Sequence, residues 1–267
     1  MPPLVQAALL GVVQGLTEFL PISSTAHLLI AEELIGYQDP GGIFAVMIQL
    51  GSVLAVVWLY RSTFLEVLFG LTSRADARRF ALMILVAALP SLVAGAFLAD
   101  FIKAVLYESF EVIAASFVLG GVAILAIERL RPVPVVTNAM RTPLGRALAI
   151  GACQTLALVP GVSRSGATIM GAVALGLDRR AAAEFSFFLA VPTMTAAFAH
   201  DFYEIRSQLT PERSLEIAVG FVLAFVAAAL VVRPFLSFVG RSGFAPFAWY
   251  RIAAGAAIAT ALVAGMW

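Results

Sequence analysis

Charged side chains are scarce in this sequence: Asp, Glu, Lys and Arg make up only 12% of its 267 residues, whereas 61% of the residues are apolar. Soluble globular proteins carry about 25% charged residues, and a chain of this length cannot bury so much apolar surface in its own core. With a mean hydropathy of +0.99, the composition excludes an ordinary soluble domain and predicts an all-α integral membrane protein.

Cysteine and histidine are nearly missing as well. The single cysteine, Cys153, permits no internal disulfide, and with two histidines there is no zinc-binding cluster. A formal net charge of +1 excludes a broad basic surface for nucleic acid. No Lys or Arg occurs from Met1 to Val13, so we expect the first helix to belong to the mature fold rather than to a cleaved signal peptide.

Long apolar runs predict six membrane-spanning helices. Each run is bounded by charged residues or His, and the predicted spans are 43–59, 80–99, 112–127, 185–199, 217–232 and 247–267, the last being charge-free from 252. Several are shorter than the roughly 20 residues that cross a bilayer, so flanking residues are expected to extend them. The stretch from Ser62 to Arg79 is expected to be a solvated loop.

Two further apolar stretches, 4–36 and 143–176, are interrupted by proline and polar residues. The interruptions are Pro21–Thr25 and Pro160–Gly166. Proline removes a helical hydrogen-bond donor, and irregular backbone at membrane depth is tolerated only inside protein or beside a watery cavity. Both stretches are therefore predicted to be re-entrant helix hairpins.

The two interrupted stretches match each other at an offset of 140 residues. The aligned pairs are Gly11 with Gly151, Gln14 with Gln154, Ser23 with Ser163, Ser24 with Arg164 and Thr25 with Ser165, while the prolines miss by one position. Three predicted spans follow each copy, which indicates a duplication within one membrane domain, repeat one 1–131 and repeat two 141–267. A hairpin returns to its side of entry and three spans are an odd number, so the repeats have inverted topology and their interruptions are expected to lie face to face.

Basic residues predict the orientation in the membrane. Under this topology thirteen of the 17 Lys and Arg residues, Arg251 among them, fall on one side; Lys103, Arg206 and Arg213 fall on the other, and Arg164 lies in the second interruption. The positive-inside rule assigns the thirteen to the cytoplasm. Both termini and the mouth of the first hairpin are then expected to face outward, to the periplasm.

Glu18 is an ionisable residue at membrane depth, where charge is costly and by default indicates a functional site. Gln14 precedes it by four residues, so a helix places both on one face. Glu18 could bind a divalent cation, Mg²⁺ or Ca²⁺, through oxygen, and Gln14 could add a neutral carbonyl. Alternatively, the two are a polar pair at a hairpin interface.

Three hydroxyl residues follow the first proline, namely Ser23, Ser24 and Thr25, and His27 lies one helical turn beyond Ser24. A nucleophile needs a nearby base, so the cluster predicts a hydroxyl nucleophile with His27 as its base. Alternatively, the hydroxyls cap the next helix and His27 bonds to a carbonyl.

The second interruption resembles a turn that opens a helix. The free N–H groups of such a helix start bind anions, and Arg164 adds a planar cation suited to phosphate. The predicted substrate-binding residues are Ser23, Thr25, Ser163, Ser165, Gly166 and Thr168, with Gln49 from the first span. Alternatively, Arg164 extends to the interface or pairs structurally with Glu18.

Two long motifs occur in a fixed order, from Gln14 to His27 and from Pro160 to Thr168. The stretches Phe44–Val57 and Glu184–Pro192 accompany them. With these motifs, the chain length and the span pattern, the sequence resembles the bacterial undecaprenyl-diphosphate phosphatase family of the bacitracin-resistance type.

The resemblance implies an inner-membrane enzyme that removes the terminal phosphate of undecaprenyl diphosphate and recycles the lipid carrier of cell-wall synthesis. It also implies a divalent cation, an outward-facing site and inverted repeats with re-entrant hairpins. Two departures occur: Gln14 stands where the family often has Glu, which weakens a two-carboxylate metal site, and Ala26 stands where Gly is common.

The predicted mechanism is attack of Ser24 on the terminal phosphorus, with Arg164 holding its oxygens, His27 taking the proton and Glu18 orienting His27 or binding the cation. Ser23 is the reserve nucleophile, and attack by metal-bound water is the alternative route. A flippase or carrier of polyprenyl phosphate is the alternative function, because inverted repeats with broken helices are typical of transporters. The expected partners are a polyprenyl diphosphate lipid, membrane lipids and, left open, a second copy of the chain in a homodimer.

Overall fold

The protein is all-α in a computed structural model that describes residues 1–105, 109–205 and 211–265. Within these ranges the chain forms no β-strand, only an isolated bridge between Val136 and Leu177. The helices are α1 Pro3–Thr17, α2 Ser24–Ile35, α3 Ile43–Leu59, α4 Arg61–Gly70, α5 Ala75–Val105, α6 Phe110–Leu130, α7 Leu144–Gln154, α8 Arg164–Ala174, α9 Arg179–Ile205, α10 Pro211–Ser242 and α11 Ala245–Val263, with 3₁₀ turns at Pro40–Gly42, Ala139–Arg141 and Thr155–Leu158.

Five of these helices, α5, α6, α9, α10 and α11, are long and apolar enough to cross a membrane, and the bent pair of α3 and α4 makes a sixth when it is counted as one span. The prediction of a multi-span all-α protein is therefore confirmed. The bounds predicted for 43–59 are those of α3, and α5, α6, α9 and α10 extend beyond both ends of their predicted spans. The last predicted span, 247–267, is too long at its end, because α11 stops at Val263. The end of the last predicted span, 266–267, lies outside the described residues.

The expectation of a solvated loop from Ser62 to Arg79 is wrong. This stretch holds α4, which turns by 75° from α3, and the start of α5. Leu65, Leu68 and Phe69 recur at helical spacing and form an exposed apolar face on α4. In the sequence, the charged residues of the stretch made this apolar periodicity hard to recognise.

Apolar side chains cover much of the outside of the protein. Phe97, Leu119 and Leu230 are 82%, 68% and 70% exposed. Exposed apolar surface on this scale is unfavourable in water, so the surrounding solvent is lipid. The largest core cluster joins residues of α3, α5, α7, α8, α9 and α10, and includes Phe185, Phe187, Phe235 and Phe244.

Two helix pairs are broken at the predicted interruptions. The first break separates α1 from α2, and the second separates the 3₁₀ turn after α7 from α8. The helices after the breaks begin at Ser24 and Arg164, which are the positions aligned by the offset in sequence.

Each broken pair packs on a helix from the other half of the chain. Gly11 and Gly15 of α1 lie against the backbone of α10 at Gly220 and Ala224, and Gly151 of α7 lies against the carbonyl of Ala87 in α5. A Cβ at any of the three glycines would overlap these backbone atoms. The glycines therefore permit the close helix approach that is typical of membrane proteins.

Arg251 is not the cytoplasmic loop residue that the charge count expected. It lies inside α11, is 1% exposed and contacts backbone carbonyls. The positive-inside argument therefore loses one of its thirteen residues, and Arg206, assigned to the opposite side, lies outside the described residues.

Candidate active site

The two breaks meet inside the protein. Ser165 Oγ donates a hydrogen bond of 2.7 Å to the carbonyl of Leu20, and Arg164 Nη2 lies 2.9 Å from Glu18 Oε1. The juxtaposition expected from the repeat is therefore present, although Ser165, 1% exposed, joins the loops instead of facing open space.

The serine before each helix start has an unusual backbone conformation. Ser23 has φ 70° and Ser163 has φ 75°, and within the described residues they alone have positive φ without being glycine. Such conformations cost free energy for L-residues and concentrate at functional sites. Ser163 Oγ also accepts a hydrogen bond from Gly166 N at 3.0 Å and caps α8, whereas Ser23 makes no such bond. Helix capping therefore explains the role of the Ser163 hydroxyl but not that of the Ser23 hydroxyl.

Glu18 lies at the centre of the site, with its side chain 3% exposed. Arg164 Nη2 donates to its Oε1 at 2.9 Å, while Gln14 Nε2 and Ser24 Oγ donate to its Oε2 at 2.9 and 2.6 Å. A carboxylate that accepts the hydroxyl hydrogen bond is placed to take the Ser24 proton. A second carboxylate at the position of Gln14 would repel Glu18, whereas the amide donates to it.

Arg164 is held in one orientation by groups on α9. Its Nη1 donates to the carbonyl and hydroxyl of Ser186 at 3.1 and 3.3 Å, and its Nη2 also contacts Met194 Sδ at 3.0 Å. Its Nε is buried and has no hydrogen-bond partner among the described residues. Thr168 is fully buried and its Oγ1 bonds to Ser186 Oγ at 2.9 Å, so it supports Arg164 from behind.

His27 is turned away from Ser24. Its Nδ1 lies 2.7 Å from the carbonyl of Ser23 and must donate the proton there, so Nε2 accepts from the hydroxyl of Tyr250 at 2.6 Å. The His27 ring also stacks on Tyr250. The base nearest to the Ser24 hydroxyl is therefore Glu18, and His27 holds the Ser23 carbonyl, which the sequence offered only as the alternative.

A cavity of about 160 Å³ lies between the two loops. Its lining residues are Glu18, Ser23, Ser24, Thr25, Gln49, Ala157, Leu158, Val159, Pro160, Gly161, Ser163 and Arg164. Gln49 thus faces the site as expected. Ser165, Gly166 and Thr168, predicted to bind substrate, belong instead to the layer that supports the lining.

The expected Mg²⁺ or Ca²⁺ ligands do not fit a metal site in this arrangement. The described residues contain no group of three or more His, Cys, Asp or Glu side chains that could hold a metal ion. Both oxygens of Glu18 are already engaged, and Gln14 presents its N–H₂ group to Glu18 rather than an oxygen to a cation.

Three residues of the site were not identified from the sequence: Ser186, Tyr250 and Arg251. Ser186 lies inside the family-like stretch Glu184–Pro192, which was a usable signal. Arg251 is an ionisable residue inside an apolar helix, a second usable signal that the charge count masked. Tyr250 carries no signal, because its contact with His27 joins residues 223 positions apart.

Comparison with known proteins assigns the sequence to a family. The family model described as "Bacitracin resistance protein BacA" matches residues 7–257. The chain is 50% identical to "Undecaprenyl-diphosphatase 1" of Agrobacterium fabrum, covering 95% of this chain and 94% of that protein. It is 51% identical to the "Undecaprenyl-diphosphatase" of Phenylobacterium zucineum over 96% of each chain, and 47% identical to that of Sinorhizobium fredii over 99% and 97%.

Proposed function

The chain belongs to the BacA bacitracin-resistance family, and we propose from this membership and the geometry of its site that it hydrolyses undecaprenyl diphosphate to undecaprenyl phosphate and inorganic phosphate. The observation that carries the proposal is the 2.6 Å hydrogen bond from Ser24 to Glu18 inside a cavity that Arg164 also lines. Nucleophile, base and anion-binding cation then surround one space, as phosphoryl transfer requires.

In the first step, Ser24 Oγ attacks the terminal phosphorus while Glu18 takes its proton. The Oγ–P bond forms, the bridging P–O bond breaks, and the electron pair leaves on the oxygen of undecaprenyl phosphate. Arg164 lines the cavity and places its positive charge beside the phosphoryl oxygens, and positioning with charge neutralisation lowers the barrier. Thr25, Ser163 and Gln49 line the same cavity and bind the remaining oxygens.

In the second step, water attacks the phosphoserine. The P–Oγ bond breaks, Glu18 returns its proton to Ser24, and inorganic phosphate leaves with the hydrogen atoms of the water. A pure carrier of polyprenyl phosphate needs no hydroxyl bonded to a carboxylate, so this pair favours hydrolysis over transport alone.

The proposed topology is six spans with two re-entrant hairpins in inverted repeats of the inner membrane, with the mouth of the cavity facing the periplasm. Its support is the recurrence of the helix starts at Ser24 and Arg164 and of the positive-φ serines that precede them. The crossed packing of α1 on α10 and of α7 on α5 relates the two halves in the same way, as inverted repeats do around a shared midplane site.

Detergent-purified protein is expected to release inorganic phosphate from undecaprenyl diphosphate with a kcat/KM at least about 10-fold above that for a short water-soluble diphosphate. The polyprenyl tail binds along the lipid-facing apolar surface, and this remote binding energy serves catalysis. The measurement is initial-rate phosphate release with both substrates in the same detergent.

Comparable turnover of the two substrates would contradict a role for the tail. Lipid translocation in vesicles without phosphate release would contradict the phosphatase function and support the function of a polyprenyl phosphate carrier.

Glu18→Gln is expected to lower kcat by about 100-fold and His27→Gln by only about 10-fold, because Glu18 accepts the Ser24 proton and general-base catalysis is worth about 10²–10⁴. The glutamine at position 27 can still donate to the Ser23 carbonyl. Single-turnover rates of phosphate release measure both. A loss of kcat in His27→Gln equal to that in Glu18→Gln would identify His27 as the base.

A further inference from the structure

Arg251 of α11 is a buried cation that contacts both active-site loops. It is 1% exposed. Its Nη1 donates to the carbonyls of Pro21 and Val162 at 3.3 and 3.1 Å, and its Nη2 donates to those of Gly161 and Ser116 at 2.8 and 2.7 Å. One guanidinium therefore connects the first loop, the second loop and α6.

The acceptors lie just before the reacting residues in sequence. Pro21 precedes Ser24 by three residues, and Val162 precedes Arg164 by two. Irregular backbone at membrane depth leaves carbonyls without helical partners, and each must be bonded by protein. Arg251 satisfies carbonyls from both loops at once, which fixes their separation as well as their hydrogen bonding.

The surroundings of Arg251 are built around its guanidinium. Gly120 of α6 leaves the space that Nη2 occupies, because a Cβ there would overlap Nη2 and Cζ. The Phe117 ring lies 5.1 Å from Cζ. None of the ion pairs seen among the described residues includes Arg251, so neutralising a carboxylate is not its role. The planar guanidinium of Arg251 has N–H donors for all four carbonyls at once, whereas a lysine ammonium could not bond to all four.

We propose that Arg251 is a positioning residue for phosphoryl transfer, setting the distance between the loop that carries Ser24 and the loop that carries Arg164. The inference rests on the proposed phosphatase function. Arg251 does not line the cavity, so it acts on the reaction only through the backbone that it holds. A misplacement of about 1 Å between reacting groups costs on the order of 100-fold in rate, whereas binding through Arg164 is retained.

Arg251→Gln is expected to lower kcat by about 100-fold and to change KM by less than about threefold. Arg251→Lys keeps the charge but not the fork, so it is expected to stay at least about 10-fold below wild type. The matched control is Arg179→Gln, because Arg179 also joins two helices, through Glu128 at 2.6 Å, but contacts neither loop. It is expected to lower Tm and to leave kcat unchanged.

Gly120→Ala tests the proposal without removing Arg251. The new methyl group displaces the guanidinium, while alanine favours the helix, so we expect a folded protein with kcat about 10-fold lower. Gly240→Ala on α10 is its control, because a Cβ there meets no atom within 4 Å. Kinetics of all variants on undecaprenyl diphosphate, with Tm measured in parallel, give the kcat and KM changes.

A distance measurement keeps this test independent of activity. Spin labels on cysteines at Thr25 and Ala157, one on each side of the cavity, are introduced with Cys153→Ala. Arg251→Gln and Gly120→Ala are expected to broaden the inter-label distance distribution, and Gly240→Ala to leave it unchanged. If wild type shows no hydrolysis, the proposed function fails while the distances still report on Arg251.

An unchanged distance distribution in both Arg251→Gln and Gly120→Ala overturns the positioning role. So does a folded Arg251→Gln with kcat within about threefold of wild type, and so does full rescue by Arg251→Lys. Equal losses of kcat in Arg179→Gln and Arg251→Gln would also overturn it, because they would reduce Arg251 to general stability.

Discussion

Ser24→Ala is expected to lower kcat for phosphate release from undecaprenyl diphosphate by at least about 1,000-fold, because loss of a nucleophile removes the covalent route altogether. The effect on stability is expected to be small. Glu18 Oε2 keeps its hydrogen bond from Gln14, and Oε1 keeps Arg164, so the carboxylate stays paired. Steady-state phosphate release and thermal unfolding of the two proteins measure both quantities.

Ser23→Gly is the matched control for Ser24→Ala. Glycine adopts the positive φ of this position at no steric cost, so the variant removes only a hydroxyl, and we expect less than about a 10-fold loss of kcat. Acid quenching during turnover of ³²P-labelled substrate should trap phosphoserine in wild type and Ser23→Gly but not in Ser24→Ala. A larger loss in Ser23→Gly than in Ser24→Ala would identify Ser23 as the nucleophile, and normal turnover in both would favour direct attack by water.

Arg164→Met is expected to lower kcat/KM by about 1,000-fold, since an arginine that stabilises a transferring phosphoryl group contributes on the order of 10³–10⁵. It should also cost about 3–5 kcal/mol of stability, because it leaves the buried Glu18 carboxylate without its cation. Initial rates and denaturant unfolding are the measurements.

The combined variant Glu18→Gln/Arg164→Met separates the two roles of Arg164. Removing both charges should recover most of the lost stability. Its activity should nevertheless lie well below that of Glu18→Gln alone, because the phosphate clamp is still missing. Equal activity of Glu18→Gln and the combined variant would mean that Arg164 only neutralises Glu18 and does not bind substrate.

The sequence predicted the broken helices because their signals are local. Pro21 and Pro160 stop helices at known positions, and a charge-free run such as 43–59 has no other stable state in lipid. The helix α4 was missed because the charges between Ser62 and Arg79 outweighed an apolar face that repeats only twice.

The residues of the site were predicted better than the hydrogen bonds between them. Glu18, Ser24 and Arg164 were identified because ionisable and nucleophilic residues are conspicuous in apolar sequence. The partner of His27 was not, because a hydrogen bond is decided by the final orientation of two rings on helices far apart in the chain. Spacing of one turn places Ser24 and His27 near each other but does not direct the ring nitrogen toward the hydroxyl.

The crossed packing of the broken helices also constrains how the protein is made. Helix α1 packs on α10, which leaves the ribosome after most of the chain has been synthesised. Glu18 likewise forms its ion pair only after Arg164 of α8 has been synthesised. Helices generally insert before they pack, so an incomplete chain holds a buried carboxylate without its counter-ion. The packing of α1 on α10 is therefore completed only late in translation, after most of the second half has been synthesised.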